Sequence, residues 1–295
     1  MERDFVGYGP NPPRTEWPDG ARIAISLALA YEEGSEYSLL DGDPHREPTG
    51  EVTSPVAASK RDLVSESFFE YGSRVGVWRL LDVLEENQVK GTWFCTGLAL
   101  ERNPQVGREI VRRGHDIVGH GYRWVEVFKM DRDAEREDMR KAVEAIERIT
   151  GERPLGWHNR YAHSVNTREL VVEEGGFLYD SNAYNDDIPY FVTVSGKKWL
   201  IVPYSFDTND GKTYRGSLGV AEYYKSLVDT FDRLYEEGAT RPKMMSVGIH
   251  PRVTGRPGKA KVLGQFIQYA KSHPKVWFAR RGDIAKWWWA QYGQG

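Results

Sequence analysis

The sequence predicts an α/β protein, a single distorted (β/α) barrel of about seven or eight parallel strands. Three observations carry that expectation. Short apolar runs alternate with amphipathic stretches along the whole chain, as parallel βα units require. No linker divides the 295 residues, so 1–295 reads as one domain and one closed barrel rather than a doubly wound open sheet. The first run, "ARIAISLALAY" from Ala21 to Tyr31, is apolar enough for a strand buried on both faces.

The units follow in order. "GSRVGVWRLLDVLEENQ" places Val77, Leu80, Leu81 and Leu84 on one helical face. "GTWFCTG" is a β-prone run, and "NPQVGREIVRRG" a helix with Pro104 near its start and Gly114 after its end. "HDIVGHG" reads as a strand. "DAEREDMRKAVEAIERITG" is the clearest helix: acids crowd its first turn, Met139, Val143 and Ile146 share a face, and Gly151 closes it. "PLGW", "FLYDS" and "WLIVPYS" are strands, followed by the helix "GVAEYYKSLVDTFDRLYEEG". The strand "MMSVGIH", the helix "KVLGQFIQYAKS", the strand "VWFAR" and the helix "GDIAKWWWAQY" complete the series. One long polar stretch, the loop insertion at 41–67, breaks the rhythm; it is expected to act as a lid or as an arm crossing to another subunit, the alternative being a disordered insertion.

Composition excludes some partners. Forty basic residues against 43 acidic ones give a formal net charge of −3. That is no electrostatic footprint for nucleic acid or an anionic membrane. No apolar run is long enough to span a bilayer, and the N-terminal "MERDFVGYGPNPPRTEWPDG" lacks the apolar core of a signal peptide. Cys95 is the single cysteine, so no internal disulfide can form, and a cytoplasmic protein is expected.

In a βα barrel the reacting groups stand just past the C-terminal ends of strands. Applied to the predicted strands, that rule selects Glu32 and Glu33, then His120, Trp157 and His158, Asp180 and His250. Carboxylates and imidazoles converging from separated parts of a chain suit acid–base chemistry. His115 precedes its strand and belongs to the opposite end. The loop "GWHNRYAHSVN" adds Arg160, suited to hold a carbonyl or ureido oxygen. Trp124 and Trp157 are candidates to sandwich a flat ring, and "YNDDIPYF" offers Asn185, Asp186 and Asp187 as ureido acceptors.

These motifs carry a family resemblance. "AYEEG" stands where the polysaccharide deacetylase (NodB-homology) superfamily has Thr-Phe-Asp-Asp-Gly. "GHGYRW" resembles its His-containing second motif, "RPLGW" its third and "SVGIHP" its last. "DFVGYGPNPP", "YEEG", "EYGSRVGVWRLL", "HGYRW", "NTRELVVEEGGFLYDS", "DTND" and "FDRLYEEGA" are similar to the metal-independent bacterial allantoinase branch. The resemblance implies hydrolysis of a carbon–nitrogen bond other than a peptide bond, with a small-molecule amide or a cyclic ureide or imide such as allantoin as substrate. The alternatives are a metal-dependent N-deacetylase of an acetylated sugar or small amide, and an inactive ligand-binding barrel. The resemblance also implies Glu32 as base and His250 as acid or oxyanion donor. Glu33, His120, Trp124, Trp157, His158, Arg160 and Asp187 are the expected substrate-binding residues.

The resemblance bears on metal too. It puts Glu33 and His120 at ligand positions, but the second histidine of the pattern falls where Trp124 stands. A catalytic zinc takes three protein ligands plus water. No cofactor is therefore expected; a bound zinc would need Glu33, His120 and a third ligand, for which His158 is the candidate. The neighbouring carboxylates of Glu32 and Glu33 should raise one another's proton affinity, so that one donates a hydrogen bond in place of a cation.

Finally, Trp287, Trp288 and Trp289 stand in a row on the last helix. Three successive residues span about 200° of a helix, more than one core-facing stripe. Trp287 or Trp289 should then face outward and mark a subunit contact, the alternative being cover by the N-terminal Tyr and Pro segment of the same chain, and the resemblance implies a homotetramer.

Overall fold

The structure, a computed structural model, describes residues 3–48, 51, 53–211 and 219–294. At its centre is β1 (Ile23–Tyr31), buried at every position. One edge of β1 pairs with β8 (Lys243–Ile249). The other edge is shared: β9 (Val276–Phe278) pairs with Ile23–Ile25, and β2 (Thr92–Cys95) with Ala28–Tyr31. From β2 the sheet continues through β3 (Asp116–Gly119), β4 (Gly156–Trp157), β5 (Tyr179–Asp180) and β7 (Lys197–Ile201) to β6 (Tyr190–Val194). Every ladder is parallel except β6–β7.

The fold is the α/β parallel-strand barrel that the sequence predicts, with two differences in detail. Among the described residues the strand path ends on β6 and β8 and does not close into a ring. The antiparallel β6–β7 hairpin is the second difference. Its two-residue turn, Ser195 and Gly196, has positive φ at both positions (48° and 77°). Such primed turns match the twist of paired strands, and the Ser-Gly dipeptide between apolar runs is their sequence signal.

Side-chain alternation divides the barrel into an outer and an inner layer. On β1 the odd residues Ile23, Ile25, Leu27, Leu29 and Tyr31 pack outward against a helical layer that includes Leu80, Leu84, Leu227, Phe231, Leu263 and Phe266. Those residues come from α2 (Val77–Glu86), α7 (Val220–Glu237) and α8 (Pro257–Lys271). The even residues Ala24, Ser26, Ala28 and Ala30 face inward, and their small side chains leave room inside the barrel. Arg281, at the first turn of α9 (Arg281–Tyr292), fills part of that interior. It is fully buried, and its Nη1 donates to Ser181 Oγ, Val202 O and Pro203 O while Nη2 donates to Ser246 Oγ.

The helix expected from residue 72 begins earlier. Asp62 caps α1 (Leu63–Tyr71), and α1 runs through a π turn at Gly72–Gly76 into α2. Gly72 is needed there: a Cβ would stand 2.3 Å from Glu33 Oε1. The 41–67 insertion folds back on its own chain; residues 49, 50 and 52 of it lie outside the described residues. Arg46 N donates to Ala58 O and Glu47 N to Tyr37 O, both at 2.9 Å.

The tryptophan row meets its own chain. Trp287 Nε1 donates to Glu16 O at 2.8 Å, and Trp289 Nε1 to Leu178 O at 2.9 Å. Trp288 packs against Trp17, ring centroids 5.5 Å apart. All three rings are engaged within the chain, Trp287 and Trp288 by the N-terminal segment and Trp289 by Leu178, while Trp287 and Trp289 stay half-buried. No helix of the described residues is long and apolar enough to cross a membrane.

Arg281→Leu should lower the unfolding free energy by about 3 kcal/mol, because buried acceptors lose a charged donor. Urea denaturation followed by circular dichroism measures this. A loss well under about 1 kcal/mol would show that the guanidinium does not hold the barrel interior together.

Candidate active site

The inward alternation of four strands continues past their C-terminal ends and delivers four side chains to one place. Glu32 follows β1, His120 follows β3, His158 follows β4 and His250 follows β8. They line a cavity that is open to solvent. Glu32 is its hub. Glu32 Oε1 lies 3.1 Å from His120 Nε2 and 3.7 Å from His250 Nε2, while Oε2 lies 2.8 Å from Arg252 Nη1.

Hydrogen bonds fix the imidazole tautomers. His120 Nδ1 meets His158 O at 2.6 Å and His158 Nδ1 meets Ser181 O at 3.0 Å. A carbonyl oxygen only accepts, so both Nδ1 atoms carry protons. The contact of His120 Nε2 with Glu32 then closes only with a proton between imidazole and carboxylate. His250 Nδ1 donates to Asp210 Oδ1 at 2.5 Å, and Asp210 Oδ2 accepts from His250 N (2.9 Å) and Thr254 Oγ1 (2.6 Å).

The electrostatics separate the groups. Burial alone would push the Glu32 carboxyl up, but Arg252, His250 and His120 outweigh it and hold Glu32 well below the usual carboxylate range. Burial works against charge on His250 as well, yet Asp210 and Glu32 raise it to about 9. His158 is driven well below the usual imidazole value by burial and by neighbouring His120 and Arg281, which leaves its Nε2 an acceptor. At neutral pH the cavity therefore sets an ionised carboxylate beside a protonated imidazole and a guanidinium, the make-up of an acid–base pair with an anion-stabilising cation.

Glu33 does not enter this cavity. It continues the outward alternation of Tyr31, accepts from Arg252 N at 3.1 Å, and lies 3.5 Å from Arg252 Nη1. It faces a second cleft under α1. Burial, with Glu32 adding to it against Arg252, raises Glu33 to about 7. The expected mutual rise of two carboxylates thus falls on Glu33 alone, because Arg252 and His250 stabilise the charge on Glu32.

Three other expectations are corrected. Trp157 faces outward: it is buried among Met139, Val143 and Phe177, and its Nε1 donates to Asn159 Oδ1 at 2.8 Å, so it cannot sandwich a ring with Trp124. Asp187 lies at the other end of the barrel, where its carbonyl accepts from Met244 N at the start of β8 and its carboxylate stands 3.8 Å from Lys243. Asp180 points outward and accepts from Arg168 and Trp199. Trp124 and Arg160 do line the cavity. Arg160 is buried and bidentate on Glu47, both bonds 2.8 Å, and its guanidinium stacks 3.9 Å from the Trp124 ring. The 41–67 insertion thereby covers the cavity of its own chain.

The sequence reading missed two groups. Asp210 lies in the loop after β7, and Arg252 two residues past His250. Arg252 also ion-pairs with Glu51 at 3.0 Å. The charge in "HPRV" was the available signal for Arg252, but its partners lie about 200 residues away in sequence.

These donors do not fit a zinc site. The rings of His120 and His158 stack 5.4 Å apart with an interplanar angle of 3°. His120 Nε2 is already directed at Glu32 Oε1, 3.1 Å away, so it is not free to join His158 on one ion. Glu33, assigned to the ligand set with them, faces the other cleft, and the Arg252 guanidinium sits against Glu32. No group of three metal-ligating side chains occurs among the described residues.

Comparison with known proteins follows the same lines. The family model described as polysaccharide deacetylase matches residues 59–178. A polysaccharide deacetylase-type protein of Schizosaccharomyces pombe is 36% identical over 98% of this chain and 98% of its own. A Pseudomonas aeruginosa PAO1 crystal structure assigned as a polysaccharide deacetylase superposes with a TM-score of 0.94 and 46% identity, covering 100% of both chains. The crystal structure of Puue allantoinase gives a TM-score of 0.94 and 45% identity over 100% of this chain and 99% of that one.

If protonated His250 is required, activity should fall on the alkaline side with a midpoint near 9. Asp210→Asn removes the first of the two charges that raise His250, so the midpoint should move down toward the ordinary imidazole value. A pH–rate profile of both proteins checks this. An unchanged alkaline limb in Asp210→Asn would remove Asp210 from the tuning of His250.

Proposed function

The chain belongs to the polysaccharide deacetylase family, and on that footing we propose that it hydrolyses a carbon–nitrogen bond other than a peptide bond, opening a cyclic ureide or imide, the class to which allantoin belongs. The observation that carries this reading is the Arg252 guanidinium 2.8 Å from the buried Glu32 carboxylate. A fixed cation of the protein stands where the carboxylate needs one. The near-complete match to an allantoinase structure supports the substrate class.

Glu32 takes a proton from water as the water oxygen attacks the ring carbonyl. Negative charge moves onto the carbonyl oxygen, and this oxyanion competes with Glu32 for Arg252 and His250. The competition raises the proton affinity of Glu32 as the transfer proceeds, so a carboxylate held ionised in the ground state can act as base. The tetrahedral intermediate collapses with cleavage of the C–N bond, and His250 Nε2 gives its proton to the leaving nitrogen. The proton on Glu32 then returns to His250, 3.7 Å away, and both groups are reset. Asp210 orients the imidazole and keeps it charged in the resting state.

Glu32→Gln keeps the shape of the side chain and removes the base; kcat should fall by about a thousandfold with the fold intact by circular dichroism. Retained turnover would overturn Glu32 as base. In a panel of allantoin, hydantoin, succinimide and N-acetylated sugars, ring opening should persist in chelator. Deacetylation of a sugar that chelator abolishes and zinc restores would establish a metal-dependent deacetylase instead. A homotetramer belongs to the same proposal and is checked by light scattering.

A further inference from the structure

The cavity is chemically two-sided. Around Trp124 gather the charges of Arg160, Arg252 and their carboxylate partners Glu47 and Glu51. The other wall is a continuous series of rings that starts at the reacting centre. His158 stands 5.0 Å from Phe94 and 5.0 Å from Tyr204. Tyr204 meets Tyr184 edge-on at 6.0 Å, and Tyr184 stacks on Phe206 at 4.3 Å with an interplanar angle of 16°. Tyr161 closes the series against Phe206 at 6.2 Å. Phe94 and Tyr204 are buried, whereas Tyr161 and Tyr184 are each 38% exposed, so the wall runs from the floor of the cavity to its mouth.

A substrate seated with its C–N bond between Glu32 and His250 has this wall along the remainder of its length. Where the wall is deepest, the Tyr204 hydroxyl accepts from Asn209 Nδ2 at 2.8 Å and His158 Nδ1 donates to Ser181 O, so the Tyr204 O–H and His158 Nε2 are the polar groups left to a substituent there. A ureido chain lying there would bury several donors and acceptors against ring carbons, which costs affinity for each one left unpaired. A flat apolar group would instead stack on exposed ring faces and lose little.

We propose that this wall selects ring substrates bearing an aromatic substituent, such as aryl-substituted hydantoins or cyclic imides, over the ureido-substituted ring of allantoin. The inference rests on the ring-opening reading of the same site and goes beyond it by naming the substituent. Tyr184 and Phe206 are the specificity-determining residues, since they form the stacked pair between the buried floor and the mouth.

The test separates the two claims. Binding is measured by titration calorimetry on full-length Glu32→Gln, and turnover on the unaltered protein, with 5-phenylhydantoin, hydantoin and allantoin as probes. 5-Phenylhydantoin should bind about tenfold tighter than either of the others, and Tyr184→Ala or Phe206→Ala should reduce that ratio by about tenfold. Tyr184→Phe should keep the ratio, because the ring and not the hydroxyl carries it. Tyr184 is partly exposed, so its truncation leaves the core intact. Equal or weaker binding of 5-phenylhydantoin would overturn the inference. So would a Tyr184→Phe variant that loses the ratio as fully as Tyr184→Ala. Opening of none of the three rings would refute the hydrolytic reading, while the binding ratio would still decide the wall's preference.

Discussion

A carboxylate buried as deeply as Glu32 cannot stay charged without partners, and most of the site can be understood as the supply of those partners. Taking an ion out of water costs several kcal/mol even after relaxation. Here Arg252 meets that cost at Oε2, and His250 and His120 meet it at Oε1. Arg252 must in turn be held, and Glu33 and Glu51 hold it. Three carboxylates share one guanidinium, and Glu33, raised by its burial and by the Glu32 charge against Arg252, is the one pushed up to about 7. His250 is kept charged by Asp210 from behind and Glu32 in front. The arrangement does with side chains what a bound cation does elsewhere: it keeps positive charge fixed beside the reacting centre.

Buried pairs of this kind are weak evidence of net stability and stronger evidence of a specified geometry. Glu47 and Arg160 make a bidentate pair out of contact with water, between the 41–67 insertion and the loop after β4. Losing either partner would strand a charge, so the pair ties the insertion in one position over the cavity. Trp124, stacked between Arg160 and the Arg252 side, supplies the surface on which both guanidinium groups rest. The same loops thus carry the charges and the rings that line the cavity.

Much of this was legible in the sequence, and the failures have one physical cause. Glu32, His120, His158 and His250 were found because strands alternate with helices and barrel strands present their ends together. Alternation within a strand also decides which of two neighbours faces inward. Ala24, Ser26, Ala28 and Ala30 give the inner parity of β1, and that parity includes Glu32 and excludes Glu33. The same rule sends Trp157 outward and His158 inward. Treating adjacent residues as a pair was the error in both cases. Arg252 and Asp210 were illegible for another reason. Their roles come from contacts to Glu33, Glu51 and His250 that join distant parts of the chain, so the local signals, "HPRV" and "DTND", did not assign them. In the tryptophan row, Trp287 and Trp288 meet Glu16 and Trp17 of the N-terminal segment, the alternative the sequence offered to a subunit contact, and Trp289 bonds to Leu178.

The most direct test is the ionisation of Glu32 itself, read by infrared difference spectroscopy of the carboxylate and carboxylic-acid bands, with Glu32→Gln identifying its signal. The account predicts that the Glu32 carboxylate band persists as pH falls through the ordinary value of 4.5, and that Arg252→Met moves its titration upward. A Glu32 that protonates at or above that value with Arg252 in place would contradict it.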